Sequence, residues 1–229
     1  MSDATTGLLA VWMDMPPEKE DDFNRWYNEE HLADRMAFPG FMRVRRYVSV
    51  SGGPKYVALY DLAEGAMTSE PYMKARKNPT EWTTRVMAGL TANIRNEYHL
   101  VKSIGEVSSD RGLNPPAWSS PAPYLLMVCL ETDDAHDAEL QEWYDNEHLA
   151  ALQSVPGCHS AKRYRGTDVA AGFPRNLANY ELDAPEVRTS DAWQKAAETE
   201  WTLRIRTHFL PNRTNTMGQL IKVIERQPA

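Results

Sequence analysis

The strongest constraint on this chain is that it contains itself twice. The run Trp26-Tyr27-Asn28-Glu29-Glu30-His31 returns as Trp143-Tyr144-Asp145-Asn146-Glu147-His148, at an offset of 117 residues. Both copies continue without a gap through a Pro-Gly pair, Pro39-Gly40 and Pro156-Gly157, to a basic-aromatic end, Arg46-Tyr47 and Arg163-Tyr164. Repetition over this length means two units of about 100 residues rather than one large domain. The expected organisation is a first unit over 1–107, a linker over 108–123 and a second unit over 124–229. The linker reading rests on Pro115, Pro116, Pro121 and Pro123 among Ser, Asn and Gly, a composition that makes a semi-rigid spacer.

Within each copy the pattern spells one order of elements. Leu8 to Asp14 is a short apolar run closed by Pro16-Pro17, and its copy is Leu125 to Glu131; both read as buried strands. The acidic run Glu18 to Asp22 suits a helix N-terminus. From there Phe23, Trp26, Tyr27, Glu30, Asp34 and Ala37 share one face of a regular helix. That spacing puts Glu30, and Glu147 in the copy, at the centre of an apolar stripe, with His31 and His148 at its edge. Pro39-Gly40 stops the helix. A strand over 41–50, a turn at Ser51-Gly52-Gly53-Pro54, a strand over 56–62, a helical region interrupted near Asn78-Pro79 and a strand over 94–104 follow. The fold class is therefore α+β, with two tandem βαββαβ repeats of the ferredoxin-like pattern. A sheet with helices on one face must cover the other, so the two sheets are expected to pack together.

Composition narrows the function. With 42% hydrophobic residues and 7 Trp, each unit can build a core of its own. The formal net charge of −7, with no basic block, predicts no nucleic-acid and no anionic-membrane partner. The first residues lack a signal-peptide pattern and no apolar run is long enough to span a bilayer, so a cytoplasmic location is expected. Cys129 and Cys158 read as small core residues rather than a disulfide.

The run Trp-Tyr-x-x-Glu-His-Leu, then Pro-Gly-Phe, then Arg-Arg-Tyr resembles the EthD-like branch of the dimeric α/β-barrel superfamily, and each copy spans nearly the whole family length. The second copy departs at Pro156-Gly157-Cys158 and Lys162-Arg163-Tyr164. The resemblance implies two ferredoxin-like sheets forming one barrel, with a cavity for small hydrophobic molecules beside the sheet. The tandem arrangement looks like a fused dimer, and the protein is expected to be a monomeric pseudo-dimer or a homodimer. Members of the superfamily include cofactor-free monooxygenases, cyclases, isomerases, lactone-processing enzymes and haem-binding enzymes. A fused dimer also frees one half to lose its chemistry. Asp34 maps to Ala151, Met42 to His159 and Gly89 to His208, so unequal sites are expected.

Glu30 and Glu147 are candidate acids or bases, because a carboxylate in an apolar stripe is desolvated and its pKa rises. Their structural alternative is a hydrogen bond that holds the helix on its sheet. His31 and His148 are candidate proton carriers, unless they are inert helix-surface residues. Tyr27 and Tyr144, one turn earlier, are placed to orient the imidazole or donate to a developing oxyanion. Trp12, Trp26, Trp82 and Trp143 are expected to line an apolar substrate pocket, with Asp14 and Glu131 at its mouth unless these are solvated turn residues. Arg46, Arg163, Arg85 and Arg204 suit salt bridges more than substrate contacts. No metal-ligand spacing, phosphate loop or nucleophile elbow occurs, so neither metal nor cofactor is expected. One His could hold a haem, but nothing in the sequence asks for it.

The expected function is a cofactor-independent isomerase or lyase that moves protons on a small aromatic or hydrophobic metabolite, in catabolism of aromatic compounds. Two alternatives stay open: a cofactor-free monooxygenase on a phenolic or polyketide-like substrate, and a non-catalytic small-molecule-binding accessory protein.

Overall fold

Alternation along the strands sorts the apolar side chains into layers on opposite faces of one sheet. In a computed structural model, which describes residues 5–105 and 121–226, the first repeat runs β1 (Gly7–Asp14), α1 (Glu20–Trp26), α2 (Leu32–Ala37), β2 (Phe41–Ser51), β3 (Tyr56–Leu62), α3 (Glu70–Lys77), α4 (Glu81–Met87) and β4 (Ala92–Gly105). The second runs β5 (Tyr124–Leu130), α5 (Asp137–Trp143), α6 (Leu149–Gln153), β6 (Cys158–Asp168), β7 (Asn176–Leu182), α7 (Asp191–Ala197), α8 (Glu200–Arg206) and β8 (Thr214–Glu225). Most of the stretch read as a linker lies outside the described residues. Among those described, no helix is long and apolar enough to cross a membrane.

The eight strands form one closed antiparallel barrel in the order β1-β3-β2-β8-β5-β7-β6-β4. Each repeat supplies a contiguous half, and the halves join through two ladders. β2 pairs with β8 from Arg43↔Glu225 to Ser51↔Met217, and β4 pairs with β6 from Glu97↔Asp168 to Gly105↔Ser160. The two sheets thus meet along their edges as well as facing one another, and closure removes the exposed edges that an open sheet would present.

Inside the barrel, Leu8, Ala10 and Trp12 of β1 pack with Leu125, Met127 and Cys129 of β5, and with Tyr47 and Tyr164. On the outside each repeat packs its helices over its own half, through Phe23, Trp26 and Tyr27 in the first and Leu140, Trp143 and Tyr144 in the second. Cys129 and Cys158 are both free and buried, one inside the barrel and one under the helices. The break near Asn78-Pro79 separates α3 from α4. Gly40 and Gly157 take φ of 83° and 87° just past the end of each first helix, a conformation that glycine adopts without strain.

The interior also carries a polar layer. Arg43 Nε donates to Asp61 Oδ2 at 2.7 Å, and Arg45 spans Asp61 (2.8 Å) and Glu181 of the other repeat (3.2 Å). Burial pushes the Asp61 carboxyl up, but the Arg45 and Arg43 guanidiniums overcome it and hold the group below the usual carboxylate range. Removing one partner of such a buried cluster leaves uncompensated charge. Arg45→Ala is therefore expected to cost about 3–5 kcal/mol in urea unfolding, whereas Arg204→Ala, whose pair with Glu139 is exposed, should cost less than about 1 kcal/mol.

Candidate active site

The repeated motif does not continue a regular α-helix. In both copies α-helical geometry gives way to a single π-helical turn, Tyr27–His31 and Tyr144–His148, before it resumes. A π turn inserts one residue into the helical repeat and aligns residues five apart, and such turns concentrate at functional sites. Trp26 and His31 accordingly pack with ring centroids 4.2 Å apart, and Trp143 and His148 stack at 4.0 Å. Extrapolating a 3.6-residue period through this turn puts the carboxylate inward and the imidazole at the edge; the inserted residue changes which side chains face the core. Trp26, Tyr27 and Leu32 are buried, while Glu30 is half-buried and turned toward α4.

There Glu30 meets the start of α4. Its Oε1 accepts from Thr80 Oγ1 (2.6 Å), Thr83 Oγ1 (3.0 Å) and Trp26 Nε1 (3.2 Å). Thr80 is itself the N-cap of α4, accepting from Thr83 N at 2.9 Å. The second repeat rebuilds the arrangement. Thr199 Oγ1 donates to Glu147 Oε1 at 2.5 Å and caps α8, and Trp143 Nε1 donates to Thr202 Oγ1 at 3.1 Å. In each half the carboxylate clamps the π turn to the last helix of the repeat, α4 or α8.

The halves differ around the imidazole. In the first repeat Arg35 lies 5.5 Å from the Tyr72 ring and 5.7 Å from that of Phe38, and its Nε reaches His31 Nε2 at 3.5 Å, the weak limit of a hydrogen bond. The second repeat has Leu152 at that position, and a cavity of about 410 Å³ opens between helices and sheet. Tyr144, His148, Tyr180 and Trp193 form part of its wall, and Arg188, Arg206 and Arg213 bring three guanidiniums to it against the one carboxylate of Glu198. Arg206 approaches Glu198 at 3.8 Å; Arg188 and Arg213 make no ion pair among the described residues. Burial, then Arg213 and Arg206, push His148 down to about 3. Its Nδ1 is buried without a hydrogen-bond partner, as is the Tyr180 hydroxyl. Burial raises the Tyr144 hydroxyl, which stays protonated at neutral pH. His31 is lowered as well, by burial and then by Arg35 and Arg46.

Of the other residues singled out in the sequence, Trp143 joins the cavity wall. Trp26 is buried beside the first repeat's His31. Trp12 points the other way, into the barrel against Phe173, because β1 presents its even positions inward; it does not share a pocket with Trp26. Trp82 donates from Nε1 to Asp22 on the outer helix surface, at 3.1 Å. Asp14 accepts from the Lys55 amide at 2.6 Å, and Glu131 pairs with Arg175. Arg46 bonds Asn24 and Asn28, Arg163 bonds Gln141 and Asp145, Arg85 bonds Asp22, and Arg204 bonds Glu139. None of the four arginines reaches the cavity wall. The arginines that do were legible only by aligning the copies: Arg206 stands where the first repeat has Met87.

No family model and no curated protein matches this chain. Solved structures do. An anthrone oxidase-like protein is 12% identical with a TM-score of 0.66, over 98% of this chain and 95% of that one. A chlorite dismutase variant from Candidatus Nitrospira defluvii is 15% identical with a TM-score of 0.60, over 96% and 92%. A monooxygenase candidate from Lactobacillus acidophilus is 13% identical with a TM-score of 0.56, over 96% of each chain. At this identity the likeness defines the fold, a dimeric α/β barrel, here formed as a pseudo-dimer by one chain. It does not single out the EthD-like branch.

Both motif histidines have folded-state pKa values below the unfolded value of about 6.5. Between the two values the unfolded chain binds more protons, so stability rises with pH there and falls on acidification. The thermal midpoint is expected to fall from pH 6.5 toward pH 4.5, and a His31→Gln, His148→Gln double variant should flatten that slope.

Proposed function

We propose that the cavity of the second repeat is the active site of a cofactor-independent enzyme that moves a proton on a small aromatic or hydrophobic substrate bearing one anionic group, as an isomerase or lyase. The observation that carries this reading is a neutral imidazole in the wall of a cavity whose charged lining is three guanidiniums against one carboxylate. Its volume suits a small molecule, and its mixed apolar and polar walls suit an orienting site.

Arg213 and Arg206 hold the substrate's carboxylate or phenolate. His148 takes a proton from a carbon made acidic by an adjacent carbonyl, and the Tyr144 hydroxyl donates to the enolate oxygen that develops. The imidazolium then returns the proton to another carbon, or to a departing group. In the empty cavity His148 is too weak a base for this work. An anion bound beside the guanidiniums offsets their share of the depression, so the substrate strengthens the base by that part, and burial keeps the rest. Glu147 acts as a positioning residue through Thr199, which caps α8. The first repeat keeps the fold of this group, but Arg35 stands at its imidazole.

The test is hydrogen–deuterium exchange of an acidic C–H bond, followed by NMR across a panel of aromatic carboxylates and phenolates. A folded His148→Gln variant is expected to lose about 10²–10⁴-fold, while His31→Gln stays within a few-fold of the wild type. Full activity in His148→Gln would sink the assignment. The likeness to an anthrone oxidase-like protein and a monooxygenase candidate supports a second reading, in which the same carbanion meets dioxygen; oxygen uptake during turnover separates it. Ligand binding with neither exchange nor oxygen uptake would make the protein an accessory binder.

A further inference from the structure

Outside the cavity, the fold assembles three potential metal ligands that lie far apart in sequence. Asp133 and His136 stand on the turn between β5 and α5, and His208 follows the C-terminal end of α8. One ligand atom from each lies within 4.8 Å of the others. The imidazoles of His136 and His208 stack with centroids 3.4 Å apart and planes 16° from parallel, and Asp133 Oδ1 is 2.6 Å from His136 Nδ1. The three come from segments that are pinned together. Thr132 forms a β-bridge with Phe209, and Glu139 of α5 accepts from Trp201 and Arg204 of α8.

The first repeat provides an internal control. The aligned positions there are Pro16, Lys19 and Gly89, and they too are neighbours, since a Cβ on Gly89 would lie 3.3 Å from Lys19 Cδ. One place in the fold thus carries no ligand type except an ammonium in one half, and Asp-His-His in the other. The remaining clamps around it, such as the tryptophan and arginine of the second helix bonding one carboxylate of the first, occur in both halves. Helix packing alone therefore does not need the histidines.

We propose that Asp133, His136 and His208 bind a divalent transition metal ion of the zinc class. Two imidazoles and one carboxylate form a donor set that suits zinc and its late first-row neighbours, whereas calcium and magnesium prefer all-oxygen sites. Three protein donors leave a position for water. The ion would fasten the turn before α5 to the end of α8. Because Arg206 and Phe209 flank His208 and line the cavity, the clip would also steady that wall. The proposal stands without the assignment of activity, and its test needs no substrate.

Tag-free protein, stripped of metal, is titrated with zinc chloride against a chromogenic chelator at pH 7.5. One ion per chain is expected, with affinity falling at least about 10-fold in His208→Gly, in His136→Gln and in Asp133→Asn. His159→Ala, which removes another histidine–aspartate pair, should leave it unchanged. Zinc should raise the thermal midpoint of the wild type and not of His136→Gln, since a ligand of the native state alone stabilises it, and calcium should do neither. Affinity should fall on acidification, since metal binding releases protons from its ligands. The absence of binding at about 100 µM zinc, or equal affinity in the wild type and all three site variants, overturns the proposal. The two histidine variants act on separate segments, so the loss of one to misfolding leaves the other decisive.

Discussion

The pairing of β2 with β8 and of β4 with β6 decides where anything else in this molecule can happen. Once both seams close, the inner faces of the two sheets have only each other to pack against. That space holds Trp12, the tyrosines of β2 and β6, and the arginine–carboxylate layer. The cavity of the second repeat lies on the other face of that sheet, outside the barrel and under the helices.

On that outer face both repeats keep the same five-residue π turn and the same carboxylate–threonine clamp. Their preservation in two halves with different surroundings is what a packing requirement produces. The turn packs a histidine against a tryptophan, and the clamp fixes α4 or α8 at its N-cap. What separates the two copies of the motif is their surroundings, and the differences gather around the imidazole: Arg35 against Leu152, Tyr72 against Trp193, Met87 against Arg206. Duplication within one chain allows this, since each half varies without the other.

Much of the architecture was legible because the repeat and the strand patterns are local signals. Tyr56–Leu62 forms a strand as read, Asn78-Pro79 breaks the helical region, and Pro39-Gly40 ends the first helix. The site was harder for a physical reason. Helical periodicity presupposes a constant 3.6 residues per turn, and the π turn violates it at the motif itself, so Glu30 and His31 could not be assigned to faces by counting. Trp12 was grouped with the helix tryptophans because strand alternation does not say which face becomes the barrel interior. Arg213 and the Asp133–His136–His208 cluster depend on contacts between segments distant in sequence, which no spacing rule reports. A residue-by-residue alignment of the copies is the one signal for the cluster, and the mapping of Gly89 to His208 is where the sequence reading met it.

The electrostatics of the two halves turn on what their positive charge faces. Both histidines are kept neutral chiefly by burial, so burial cannot distinguish them. In the first repeat the nearby guanidinium of Arg35 lies against aromatic rings and the imidazole, where the protein itself supplies its partners. In the second, Arg188 and Arg213 line the cavity and make no ion pair among the described residues, and Arg213 lies 5.8 Å from the Phe209 ring. Guanidinium groups held close together repel one another, and Arg213 is destabilised in its charged form by burial and by Arg206 and Arg188. An anion relieves that repulsion and, with it, the part of the histidine's depression that the guanidiniums cause. Affinity for the ligand and strength of the base are then coupled through the charge that the ligand brings, while burial keeps its larger share of the depression.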